Sequence, residues 1–112
     1  MSNHKHSQEW LDKTVKKWQK RLGLLNWRVR AFWEPSLEAQ GRVYWEHKLW
    51  DATILIKPRV FLEERDPVEK TIIHELVHLH YAPLGDPAPD WVESAVESLT
   101  WAIYNGSSQK TR

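Results

Sequence analysis

The chain has 112 residues and a near-balance of 16 Lys and Arg against 15 Asp and Glu, a formal net charge of +1. This length suits one domain with a single core, and this balance gives no bulk field of the kind that draws a protein to nucleic acid or an anionic membrane. The absence of cysteine excludes disulfides, thiolate metal sites and cysteine catalysis, so any metal must sit on His, Asp or Glu.

Residues 1–10, MSNHKHSQEW, lack the apolar core of a signal peptide, and no apolar run approaches the ~20 residues of a membrane span. A cytoplasmic protein without a membrane partner is the expectation. His4 and His6 lie in this loose start and read as incidental. The spacing of Leu11, Val15, Trp18 and Leu22 predicts a helix over 8–22 that Gly23 ends. Its outer face carries Lys13, Lys16, Lys17, Lys20 and Arg21, which read as a solvated face rather than a nucleic-acid contact.

Three strands are expected next. Trp27, Val29, Ala31 and Trp33 alternate with Arg28, Arg30 and Phe32 over 26–33, and Val43 and Trp45 alternate with Arg42, Tyr44 and Glu46 over 41–47. Residues 52–57, ATILIK, are continuously apolar and stop at Pro58, which predicts a strand covered on both faces. The short link KLWD predicts an antiparallel hairpin of the last two. Eight tryptophans in so small a chain read mainly as core filling, since most fall where the pattern asks for an apolar residue.

A second helix is marked by Asp66 as N-cap, Pro67 at the first position and Glu69 completing a capping box. It is expected to reach about Tyr81, where APLGDPAP over 82–89 stops it. A last helix is expected over about 90–105, with Val92, Ala95, Val96, Leu99 and Ile103 as its apolar stripe. From 106 onward nothing is available to bury, and a disordered tail is expected behind an ordered core of about 8–105. The order predicts a single α+β domain, helices packed on a small three-stranded sheet.

The segment TIIHELVHLH, residues 71–80, holds the chemistry. On a helical wheel with His74 at zero, His78 falls at about 40° and Glu75 at about 100°, while Ile72, Ile73, Leu76, Val77 and Leu79 occupy roughly 140° to 300°. The histidines therefore lie outside the core arc, whereas His80 points into it and reads as a packing residue. Two imidazoles one turn apart can bind one Zn²⁺, and a carboxylate beside the first can take a proton from a metal-activated water. A catalytic zinc takes three protein ligands, and the last helix offers Glu93 and Glu97. Glu93, at the edge of the apolar stripe, is better placed to reach between two packed helices, leaving Glu97 to accept from the other ring nitrogen of His74. Glu97 as ligand is the alternative. Asp90 with Glu93 also reads as a capping box, and Asp86 and Asp90 are poorer ligands.

His-Glu-x-x-His on a helix followed by a glutamate-bearing helix resembles the zincin metallopeptidases, in particular the gluzincin branch and its smallest members, the minigluzincins. The resemblance in element order spans about residues 8–105, with residues 74–78 as the specific motif. It implies one Zn²⁺ per chain on His74, His78 and Glu93, Glu75 as general base, and Glu97 in support of the first histidine, where the family more often has aspartate. It also implies that the strand Gly41–His47, through Val43, Tyr44 and Trp45, pairs with an extended peptide or protein substrate. For an oxyanion stabiliser the sequence offers Tyr104 and His47. The function implied is a zinc-dependent endopeptidase. The competing expectation is a non-catalytic zinc-binding module that holds a protein or nucleic-acid partner on a tryptophan-rich surface.

Overall fold

Ser7 begins the first helix, its hydroxyl accepting from the Trp10 backbone N–H, and α1 runs Gln8–Arg21. This computed structural model describes residues 7–58, 67–85 and 87–110, with the side chains of 67 and 107–110 excepted. His4, His6, Asp66 and Asp86 lie outside the described residues. Leu11, Val15 and Trp18 are buried, as their spacing requires, and Gly23 turns the chain at φ 72°. A glycine suits this left-handed turn because no Cβ opposes it.

The strands β1 (Arg28–Trp33), β2 (Gly41–Glu46) and β3 (Asp51–Ile56) form one mixed sheet in the order β1-β3-β2. β2 and β3 are the expected antiparallel hairpin, with Gly41 opposite Ile56 and Glu46 opposite Asp51. β1 runs parallel to β3, with Arg28 beside Asp51 and Trp33 beside Ile56. The central place of β3 accounts for its apolar run, although only one face is fully buried. Ala52, Ile54 and Ile56 are buried and the alternate residues are half-buried, because the helices cover a single side.

The second helix, α2 (Pro67–His78), tightens into a 3-10 segment over Leu79–Leu84. That change of pitch breaks the wheel, and His80 emerges exposed rather than packed. Glu69 faces α1, accepting from Trp18 Nε1 (2.5 Å) and pairing with Lys17 Nζ (2.7 Å). The third helix, α3 (Trp91–Lys110), continues past the expected end at 105. Gly106 is not among the glycines with positive φ, so it does not act as the stop that Gly23 is. The buried stripe of α3 is Val92, Val96, Thr100 and Tyr104, while Leu99 is 42% exposed, so the expected stripe is rotated. The tryptophans divide. Trp18 and Trp27 are buried, Trp10, Trp33 and Trp45 are half-buried, and Trp50, Trp91 and Trp101 are exposed. Among the described residues no helix is long and apolar enough to cross a membrane.

The Trp18–Glu69 bond fixes the first turn of α2 against α1. Trp18→Phe removes this donor to a carboxylate together with part of a buried ring, and should cost at least about 1.5–3 kcal/mol in urea unfolding. A loss below about 0.5 kcal/mol would show that the indole bond does not hold the contact.

Candidate metal centre

The buried residues Ile72, Ile73, Leu76 and Val77 turn one face of α2 to the core, so His74 and His78 emerge on the opposite flank. Their rings stand 5.1 Å apart, and their side chains are 17% and 18% exposed. α3 packs alongside α2 and brings a carboxylate between them. Glu93 Oε2 lies 3.1 Å from His74 Nε2, and Glu93 Oε1 lies 3.2 Å from His78 Nε2. Both oxygens of Glu93 are thus engaged by imidazoles.

One ligand atom from each of His74, His78 and Glu93 lies within 4.8 Å of the others, so the three can hold a metal ion. The fit is chemical as well as spatial. Ligands ~2.05 Å from a tetrahedral ion are separated by ~3.3 Å, close to the N···O distances here. A metal needs neutral imidazole, and burial holds the pKa of His78 below its ordinary value, with His74 adding to this and Glu93 opposing it.

Glu97 stands one turn beyond Glu93 and serves the other ring nitrogen, with His74 Nδ1 at 3.1 Å from Glu97 Oε1. The second oxygen of Glu97 meets Lys70 Nζ at 3.5 Å, and the same ammonium lies 4.2 Å from the ring centre of Trp101. A carboxylate on the far nitrogen fixes the imidazole tautomer and leaves Nε2 free to ligate.

Glu75 lines the same cleft as His74, His78 and Glu93 and is only 6% exposed. It sits beneath the start of β2. A Cβ on Gly41 would stand 2.6 Å from Thr71 Cγ2 and 3.0 Å from Glu75 Oε2, so glycine alone lets strand and helix approach this closely. Burial, with Glu93 adding to it and Arg42 opposing, pushes Glu75 up to about 8. A cation on the neighbouring ligands would draw it back toward the ionised form.

These residues line a cleft of about 540 Å³ walled by Gln40, Gly41, Val43 and Trp45 of the β2 side and by Lys70 and Thr71 of α2. Lys57 N donates to Gln40 O (3.0 Å), which makes the even-numbered residues of β2 the ones bonded to β3. The N–H and C=O groups of Gly41, Val43 and Trp45 therefore face outward along an edge that is open among the described residues. Tyr44 is 55% exposed and does not line the cleft; strand alternation turns its ring to the other face of the sheet.

Neither expected oxyanion stabiliser lines the cleft. Tyr104 continues the buried stripe of α3, and His47, past the far end of β2, packs against Trp27 and Trp50 with ring centres 6.2 and 4.9 Å away. Lys70 and Thr71 belong to the cleft and were not expected there, whereas Gly41 and Arg42 lie in the strand expected along it.

Comparison with protein-family models, curated proteins and solved structures returns no match.

The raised Glu75 has a definite sign in the metal-free chain. Between its ordinary 4.5 and about 8 the folded protein holds a proton that the unfolded chain has released. Stability should therefore fall as pH rises through that window. Glu75→Gln should remove this part of the slope, read as urea midpoints from pH 5 to 9 in the presence of a chelator. A slope unchanged by the substitution would place its origin elsewhere.

Proposed function

We propose that this chain is a zinc-dependent peptidase of the zincin type, an endopeptidase with His74, His78 and Glu93 as ligands and Glu75 as general base. The observation that carries the reading is the placing of Glu75, a buried carboxyl that lines the same cleft as three residues able to hold a metal. A purely structural site has no use for such a group. Zinc held there would supply a Lewis acid and lower the pKa of a bound water to ~7. Glu75 takes the proton of the attacking water and returns it to the departing amine. Gly41, Val43 and Trp45 offer outward backbone groups to an extended peptide, and strand pairing lays its scissile carbonyl along the cleft. Glu97, backed by Lys70, keeps His74 in the ligating tautomer.

A second reading, a non-catalytic zinc-binding module for a protein or nucleic-acid partner, draws on the exposed Trp91 and Trp101 of α3, 56% and 43% accessible. The two readings separate at Glu75, which only an enzyme requires.

Purified protein should contain one zinc per chain, lost in Glu93→Ala, kept in Glu75→Gln, and held roughly 10- to 100-fold more weakly in Glu97→Gln. Zinc absent from the wild type, even after the metal is added back, would reduce the centre to a polar helix face.

Cleavage of a quenched-fluorescent peptide library should drop by at least about 10²-fold in Glu75→Gln while zinc content is unchanged. Equal cleavage by the two proteins would remove Glu75 from the chemistry. Zinc retained with no cleavage by wild type would favour the binding module.

A further inference from the structure

On the opposite edge of the sheet a second cleft of about 550 Å³ opens between α1 and β1. Arg28 N donates to Trp50 O and Glu34 N to Ile56 O, both at 2.8 Å, so the even-numbered residues of β1 are bonded to β3. The odd-numbered residues turn their N–H and C=O groups away from the sheet. Two of those outward carbonyls are closed by side-chain amides from α1. Gln19 Nε2 donates to Trp27 O (2.6 Å), and Gln8 Nε2 donates to Ala31 O (2.9 Å). Between them Val29 lines the cleft, and among the described residues neither its N–H nor its C=O has a partner.

The surroundings of Val29 are cationic and apolar. Lys16 has no ion-pair partner among the described residues, and Arg28 is 75% exposed and reaches Asp51 only at 4.0 Å. Asp12, the acid on the lining, accepts from Gln8 at 2.8 Å. Leu25, Leu49 and Trp50 form a wall that is 58%, 69% and 41% exposed. Trp50 is held at φ 53°, alone among the described non-glycine residues in having positive φ, and its ring meets Trp27 edge-on at 5.2 Å. A left-handed tryptophan costs about 1–2 kcal/mol, so the backbone carries strain where the ring reaches the cleft.

We infer that this cleft binds the C-terminal residue of a peptide chain. An extended terminal residue presents its N–H and a carboxylate oxygen on one side, with the spacing of a strand's own N–H and C=O. Its N–H donates to Val29 O, and its carboxylate accepts from Val29 N–H. Lys16 and Arg28 balance the carboxylate charge, and an apolar terminal side chain packs on Leu25, Leu49 and Trp50. A strand pairing along the whole edge would have to displace Gln8 and Gln19. A chain that ends opposite Val29 needs only the gap between them, its upstream residues leaving through the mouth of the cleft.

The test is a titration of ¹⁵N-labelled full-length protein with N-acetyl-Ala-Leu, as the free acid and as its C-terminal amide. The acid should give saturable shifts of the Val29 amide and the Trp50 indole, with the amide binding weaker by roughly tenfold or more, the worth of a charge-assisted hydrogen bond. Lys16→Met and Arg28→Met should each weaken the acid and leave the amide unchanged. Trp50→Gly removes the wall at a φ that glycine adopts without strain, and should weaken both ligands. Resonances of His74 and Glu75 should stay in place, which separates this site from the metal centre. Absence of a saturable Val29 shift at millimolar acid, or equal affinity for acid and amide, would overturn the assignment.

Discussion

Three ligand atoms on two helices must meet at one point, and the packing of α2 against α3 is what makes them do so. A helix that buries Ile72, Ile73, Leu76 and Val77 has no freedom to roll, so His74 and His78 can only face the flank where α3 lies. α3 is held in turn by Val92 and Val96 in the same core, which brings Glu93 between the rings. Steric contact sets the remaining boundary. Because Gly41 has no side chain, β2 comes down onto Thr71 and Glu75, closing this carboxyl off from water on one side. The cleft follows from apolar packing behind it more than from polar contacts within it.

The two edges of the sheet are treated differently. Along β1 the helix α1 lends two glutamine amides to outward carbonyls, which blocks indiscriminate strand addition. Along β2 no comparable cover exists among the described residues, and this open edge is the one beside the histidines. An uncovered edge invites aggregation unless something pairs with it, and this one lies at the rim of the cleft.

Much of this was legible in the residues. His74, Glu75 and His78 share a flank because 3.6-residue periodicity forces it, and the preference for Glu93 over Glu97 followed from its place at the stripe's edge. The hairpin followed from the four-residue link. Other features were hidden by their nature. Parallel pairing of β1 with β3 leaves no local signature, because its partners lie far apart in sequence. The wheel failed at His80, where the helix tightens to 3-10 pitch, and at Leu99, where tertiary packing chose Thr100 for the core in its place. Tyr104 and His47 had suitable chemistry, but the core and an aromatic cluster took them. Lys70 looked like an ordinary surface cation, and only the fold brings it to the cleft.

The place of β3, paired on both sides, also bears on the order of assembly. Its hairpin with β2 closes across His47–Trp50, a short loop that costs little chain entropy and forms in microseconds. β1 has no strand partner until β3 exists to receive it, and α3 packs chiefly on α2. The imidazoles share one helix, while the carboxylate between them comes only with α3 docked on α2. An ion on the imidazoles alone would rest on two contacts and exchange freely, and Glu93 would turn that loose encounter into retention. A metal held at this group would thus be kept only by a chain whose two helices have docked.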